Sequence, residues 1–155
     1  MATPAAAFIG AGATLSLTAH GGTVFTSIAG ITAIDPSNIK WSFDDSTTLG
    51  STKAGGGVIK QFLPSEVDPG LLSISGLYYA DDPGQQALAA AFANGALQDF
   101  QLQLPEAPGQ IAKGNLYAFS AYVEEAPMPS TQTAKAQSFK CQLKLTTLAT
   151  LTLGS

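Results

Sequence analysis

From Ala13 onward, apolar and polar residues alternate with period two over much of the chain, as expected of strands with one buried face. Ala13, Leu15, Leu17 and Ala19 mark a first strand. The Gly21-Gly22 pair predicts a hairpin turn, with a return through Val24 and on to Ile28–Ile34. Ile39, Trp41 and Phe43 form another short run, with Trp41 expected in the core. Strand character resumes over Val58–Leu63, Pro64 to Gly70 reads as a turn, and Leu72, Ile74, Gly76 and Tyr78 alternate again. Phe100, Leu102 and Leu104 follow. Two longer runs close the pattern, Tyr117-Phe119-Ala121-Val123 and Phe139-Cys141-Leu143-Leu145. The Pro-containing connection between them, Ala126 to Thr133, is too long for a two-residue hairpin.

Two segments break the alternation. The stretch Asp44 to Gly57, with Asp45, Ser46, Thr47, Leu49, Lys53, Gly55 and Gly56, has four glycines and almost nothing to bury. It reads as a long loop, and structureless connections of this length are uncommon inside compact domains unless they do something. The second segment is a helix over residues 83–94. Asp82 suits the N-cap, Pro83 the first helical position, and Gly95 the left-handed C-terminal position. Alanine fills the middle, and Leu88, Ala91 and Phe92 share one face that would pack on a sheet. The expected architecture is mainly β: one antiparallel β-sandwich or barrel of two packed sheets, with a single flanking α-helix, in one domain spanning residues 1–155.

Charge changes the picture. The chain of 155 residues has a formal net charge of −4, only 12% charged residues, and no arginine among its seven cations. An average soluble domain is roughly 25% charged. Residues 1–34 contain no Lys, Arg, Asp or Glu at all. A surface this poor in charge points to burial against copies of itself. An acidic chain without arginine is poorly equipped to grip nucleic acid or an anionic membrane. No apolar stretch approaches the ~20 residues needed to span a bilayer. The apolar run Ala5 to Ile9 lacks a preceding Lys or Arg and is cut short by Pro4, Gly10 and Gly12, so no signal peptide is expected and the protein is read as kept in a cytoplasm.

Catalytic chemistry is hard to assemble from these residues. One histidine, His20, and one cysteine, Cys141, supply too few ligands for a usual structural zinc site, and no disulfide can form within the chain. Cys141 is expected to be a small buried hydrophobe, and His20 a turn residue beside Gly21-Gly22. Gly10-Ala11-Gly12 lacks the third glycine of a dinucleotide fingerprint, and Lys53 lies on the wrong side of Gly55-Gly56-Gly57 for a P-loop. The acidic pairs Asp44-Asp45, Asp81-Asp82 and Glu124-Glu125 are sequence neighbours, and neighbours on a strand point to opposite faces. No enzyme activity and no cofactor are expected.

The order of elements resembles the major tail-tube protein of long-tailed, lambda-like bacteriophages. Pro83-Gly84-Gln85-Gln86-Ala87-Leu88, followed by Phe92-Ala93-Asn94-Gly95, looks like the helix of that family. Gly10-Ala11-Gly12-Ala13-Thr14-Leu15 is similar to its N-terminal strand entry, and Asp44-Asp45-Ser46 to the start of its long loop. The closing strand pair fits as well. The resemblance implies hexameric rings that stack into the tail tube of a virion, assembled in the host cytoplasm and serving as the conduit for genome ejection. It implies a mobile inter-ring loop at residues 44–57. Lambda-like members can carry an extra C-terminal immunoglobulin-like domain, and in a departure from them no C-terminal decoration domain is expected here. The implied partners are other copies of the chain, a tape measure protein, a tail tip or distal tail protein and a tail terminator, with DNA passing through the lumen without specific binding. The rival readings are another tube-forming ring, of a secretion system or a phage-tail-like bacteriocin, and a receptor- or carbohydrate-binding sandwich, which would call for exposed aromatics in loops.

Overall fold

The computed structural model describes residues 12–45, 53–54, 57–58, 60–106, 110 and 114–154, with backbone alone for 53–54 and 57–58. In chain order the strands are β1 (Thr14–Ala19), β2 (Thr26–Ser27), β3 (Ile31–Ser37), β4 (Lys40–Asp45), β5 (Lys53–Ala54), β6 (Gly57–Val58), β7 (Phe62–Asp68) and β8 (Leu71–Leu77). The helix α1 (Pro83–Asn94) follows, and then β9 (Gln98–Gln103), β10 (Leu116–Val123), β11 (Pro129–Ser130), β12 (Ser138–Leu145) and β13 (Thr150–Thr152). All pairings are antiparallel.

Nine strands share one ladder, in the order β2-β1-β9-β10-β12-β8-β3, with β11 added to β12 and β13 to β10. Strand β10 divides its outer edge between two partners. Its first half, Leu116–Ala118, pairs with β13, while Ala121–Val123 pairs with Leu143–Leu145 of β12. Parting there turns one ladder into two packed layers, β2-β1-β9-β10-β13 and β3-β8-β12-β11. The barrel is not closed, and the architecture is the mainly β sandwich with one flanking helix that the alternation predicts.

Period-two alternation supplies the core between the layers. Leu15, Leu17, Phe100, Phe119 and Ala121 enter from one side, and Leu72, Ile74, Phe139, Cys141 and Leu143 from the other. Phe100 and Phe119 face each other across adjacent strands and stack with centroids 5.5 Å apart. Leu88 and Ala91 of α1 are buried in the same cluster. Phe92 is not, remaining 43% exposed, so the apolar stripe of the helix is narrower than its sequence spacing implies.

Several local expectations need correction. The chain after Gly21-Gly22 does not return as one strand through Ile34. Only Thr26–Ser27 pairs with β1, and Gly30, at φ +79°, redirects the chain so that β3 pairs with β8. Pro64 lies inside β7 and not in a turn. It sits opposite Phe43 where the register slips, a bulge that tolerates a residue with no N–H to donate. The 126–133 connection contains β11, and β13 lies beyond the last strand the pattern marks. Trp41 is not a core residue but is 53% exposed.

Candidate assembly surface

The exposed Trp41 belongs to a two-stranded ribbon built by β4 and β7. The ribbon prolongs the β3–β8 pair beyond a bend marked by Asn38, at φ 59°, and Gly70, at φ 89°. A Cβ at Gly70 would run into the Ser37 carbonyl oxygen, so only glycine fits the bend. The Asp68 carboxylate accepts from the Gly70 amide at 2.9 Å, and the Gly70 carbonyl accepts from the Leu145 amide at 3.2 Å. The base of the ribbon is thus fixed to the sandwich, while every residue of β4 and Phe62 to Glu66 of β7 are exposed.

Register sorts the ribbon into two unlike faces, because residues directly opposite one another in a ladder project to the same side. Trp41 faces Val67, Phe43 faces Pro64, and Asp45 faces Phe62. On the reverse side Lys40 faces Asp68, Ser42 faces Glu66, and Asp44 faces Leu63. The first face is apolar except at its tip, with Trp41, Phe43 and Phe62 each exposed by more than half. Three aromatic side chains held in water on one side of a ribbon are not a stable way to end a surface.

The long-loop expectation falls partly on this ribbon. Asp44 and Asp45, expected to open the loop, lie within β4. Lys53 belongs to β5 and Gly57 to β6, which pair with each other as a short two-stranded unit. Ser46, Thr47, Leu49, Gly55 and Gly56 lie outside the described residues.

The helix motif is accounted for as a lock between α1 and the sandwich. Asp82, in extended conformation, caps the helix by accepting from the Gln85 amide at 2.9 Å, and the same oxygen accepts from the Ala29 amide at 3.1 Å. Gly84 lies so close to Ser27 and Ile28 that a Cβ would collide with the Ser27 carbonyl. Gln85 is 5% exposed. Its Nε2 donates to the carbonyls of Ala29 and Leu77, both at 2.9 Å, and its Oε1 accepts from the Tyr79 amide at 3.0 Å. Gln86, by contrast, is exposed and donates to the Ala80 carbonyl at 3.0 Å. Gly95 closes the helix at φ 63°, its amide donating to Ala91 and Phe92. Gln85 as a buried anchor was not visible in the sequence; the adjoining Gly84, demanding close backbone approach, is the one signal that could have found it.

Beside this lock an open groove of about 270 Å³ runs between α1 and the segment leading into β11. Tyr78, Tyr79, Ala89, Phe92, Pro127 and Met128 line it, and no lining residue is charged.

His20 meets Asp99 and Ser120 on the outer side of the sheet. The His20 Nδ1 lies 2.8 Å from Asp99 Oδ1, the Ser120 hydroxyl donates to that oxygen at 2.7 Å, and the Gly21 amide donates to Oδ2 at 3.0 Å. Both side chains converge on the carboxylate, so Ser120 is not placed for activation by the imidazole as a nucleophile would be. Burial alone would raise the Asp99 pKa, but the Gly21, His20 and Ser120 contacts outweigh it and hold the value down to about 2. The cluster ties the turn after β1 to β9 and β10. Burial, with Glu125 nearby, pushes the Cys141 thiol up to about 12, and its Sγ donates to the Glu125 carbonyl. Such a thiol is inert as a nucleophile. Among the described residues no group of His, Cys, Asp or Glu could hold a metal ion, and no helix is long and apolar enough to cross a membrane.

No family model matches the sequence, and no curated protein is similar to it by sequence. The fold, by contrast, recurs in solved structures. A chain from the tail of an empty gene transfer agent particle, refined with C6 symmetry, superposes with a TM-score of 0.68 at 18% identity, covering 96% of this chain and 100% of that one. The tail tube of phage SPP1 gives 0.62 at 14% identity, covering 92% of this chain and 77% of that one. A chain of an extracellular contractile injection system, in its extended sheath–tube complex, gives 0.61 at 10% identity, covering 91% of this chain and 88% of that one. The chain therefore has a fold found in phage tails and injection-system tubes.

Proposed function

We propose that the chain is the subunit of a tail tube: copies close into hexameric rings, and the rings stack into a conduit through which a phage genome leaves the virion. The observation that carries this reading is the ribbon, on one face of which Trp41, Phe43 and Phe62 are each more than half exposed among the described residues. A charge-poor surface points the same way, and so does a fold shared with chains of sixfold tails. The chain's role is to cover itself with itself.

In this reading residues 44–57, with their many small side chains, are the inter-ring loop, which settles on the adjacent ring on stacking. Ordering each residue costs about 1–2 kcal/mol, so it settles only where contacts with another ring offset that cost. The net negative charge keeps DNA moving, since lysine–phosphate contacts along a channel would hold it. A tape measure protein, a tail tip protein and a tail terminator are the partners such a tube needs to set its length and ends. The likeness to a contractile injection system chain favours one second reading, a tube that lies within a sheath.

Negative-stain microscopy of the concentrated protein tests the proposal. Rings with six subunits, or tubes built from them, are the expected result. A monodisperse monomer under every condition, including with tail-tip complex added as a seed, refutes it. Co-purification of a sheath protein from producing cells would favour the second reading over the first.

A further inference from the structure

Resting on the tube reading, we infer that the apolar ribbon of one copy docks in the groove beside α1 of the copy stacked on it. The two surfaces lie at opposite ends of one strand. The ribbon leaves the sandwich at the Leu71 end of β8, through Gly70, whereas Tyr78 and Tyr79 of the groove immediately follow Leu77 at the other end. Strand β12 repeats this polarity: Lys144 pairs with Leu71 near the ribbon base, and Ser138 pairs with Leu77 and with β11 near the groove. Seven residues of extended chain separate the two sites by roughly 20 Å, and Phe43 stands further out still. A chain cannot fill its own groove with its own ribbon.

A projecting apolar surface at one end and an apolar hollow at the other make a head-to-tail contact, and head-to-tail contacts that do not close propagate as open fibres. Charge agrees with the pairing. The groove has no ionised residue in its lining, and the apolar ribbon face has none between Trp41 and Phe43 or on their partners Val67 and Pro64. The lysine and carboxylates of the ribbon lie mainly on the reverse side, where they remain in water.

On its area, the contact alone should not polymerise isolated subunits. A buried aromatic removes about 150–250 Å² from water, so three that are a little over half exposed offer on the order of 300–400 Å². A stable interface needs about 800 Å² per partner. One docked ribbon falls short, whereas six acting together between two rings multiply a weak contact into a firm one. Ring closure becomes the condition for stacking.

The test uses the full chain with Phe43→Cys and Met128→Cys, both at exposed positions, while the native Cys141 is buried. A short bismaleimide linker added to assembled protein should give a ladder of linked chains on a denaturing gel, and either single variant should stay at one chain length. Met128→Lys should abolish tubes while leaving rings, with an unchanged urea midpoint showing that the subunit still folds. Tubes without a ladder, or Met128→Lys tubes of ordinary length, overturn the docking and leave the tube reading standing. Absence of tubes from the wild-type chain as well overturns both. A ladder that appears only when a tape measure protein is present, linking to it, also overturns the docking and assigns the groove to that partner.

Discussion

Replacing Gln85 by leucine isolates what the helix lock contributes. The two side chains are similar in size, so little cavity forms, but three hydrogen bonds disappear from a site that is 5% exposed. The carbonyls of Ala29 and Leu77 and the amide of Tyr79 lose their partners together. With about 1 kcal/mol per lost bond, and up to about 3 for a group left buried and unsatisfied, the expected loss is roughly 3–5 kcal/mol. The neighbouring Gln86→Leu is the internal control, because Gln86 is exposed and makes one bond, to Ala80; its loss should stay below about 1 kcal/mol. Urea unfolding followed by far-ultraviolet circular dichroism reads the difference; Trp41, on the exposed ribbon, is poorly placed to report on the core. At a slope of about 2 kcal/mol per molar, the Gln85→Leu midpoint should fall by roughly 1.5–2.5 M and the Gln86→Leu midpoint by less than about 0.5 M. Equal shifts for the two variants would refute the assignment of Gln85 as the anchor.

The other predictions concern backbone approach, pH and exposure. Gly84→Ala, which in an unobstructed helix would gain up to about 1 kcal/mol, should instead lower stability by about 2 kcal/mol, or about 4–8 °C in Tm, because the new Cβ meets the Ser27 carbonyl; a raised Tm would contradict the packing. Asp99 has its pKa depressed from 3.8 to about 2, so its contribution is present above pH 4 and disappears as pH falls through about 2. Because Asp99 is about a quarter exposed, the effect is on the order of 1 kcal/mol, and urea midpoints of wild type and Asp99→Asn should converge over that window; a gap independent of pH would be the wrong outcome. Hydrogen exchange across residues 44–57, the proposed inter-ring loop, should be fast in the free subunit and slow in tubes, and early protection there in the monomer would count against a loop that settles only on stacking.

Much of this fold is legible in the residues, and the illegible parts have physical causes. Strands such as β1, β10 and β12 carry one buried face, so their alternation is enforced by the core. The helix announces itself through Asp82, Pro83 and Gly95, which act locally and need no tertiary context. β13 is fully exposed and three residues long, so burial never shaped its pattern. Pro64 argues against a strand unless a bulge is known to face it, and the bulge is a property of the pair. Trp41 misleads in the most instructive way. Its alternation with Ile39 and Phe43 is that of a strand with a dry face, but all three side chains are more than half exposed among the described residues. Gln85 misleads in the opposite sense: it is polar and buried because backbone groups of the distant Ala29 and of Leu77 and Tyr79, just ahead of the helix, converge on it.

The central claim is that the ribbon's apolar face is meant for another copy. Its most direct test is the variant Trp41→Ser, Phe43→Ser, Phe62→Ser, compared with wild type by sedimentation and microscopy under conditions that assemble the wild type. Surface changes of this kind alter stability by about 0.5 kcal/mol or less each, so the monomer should unfold near the wild-type midpoint. The account predicts a folded subunit that no longer stacks. A variant that builds tubes as readily as the wild type would contradict it.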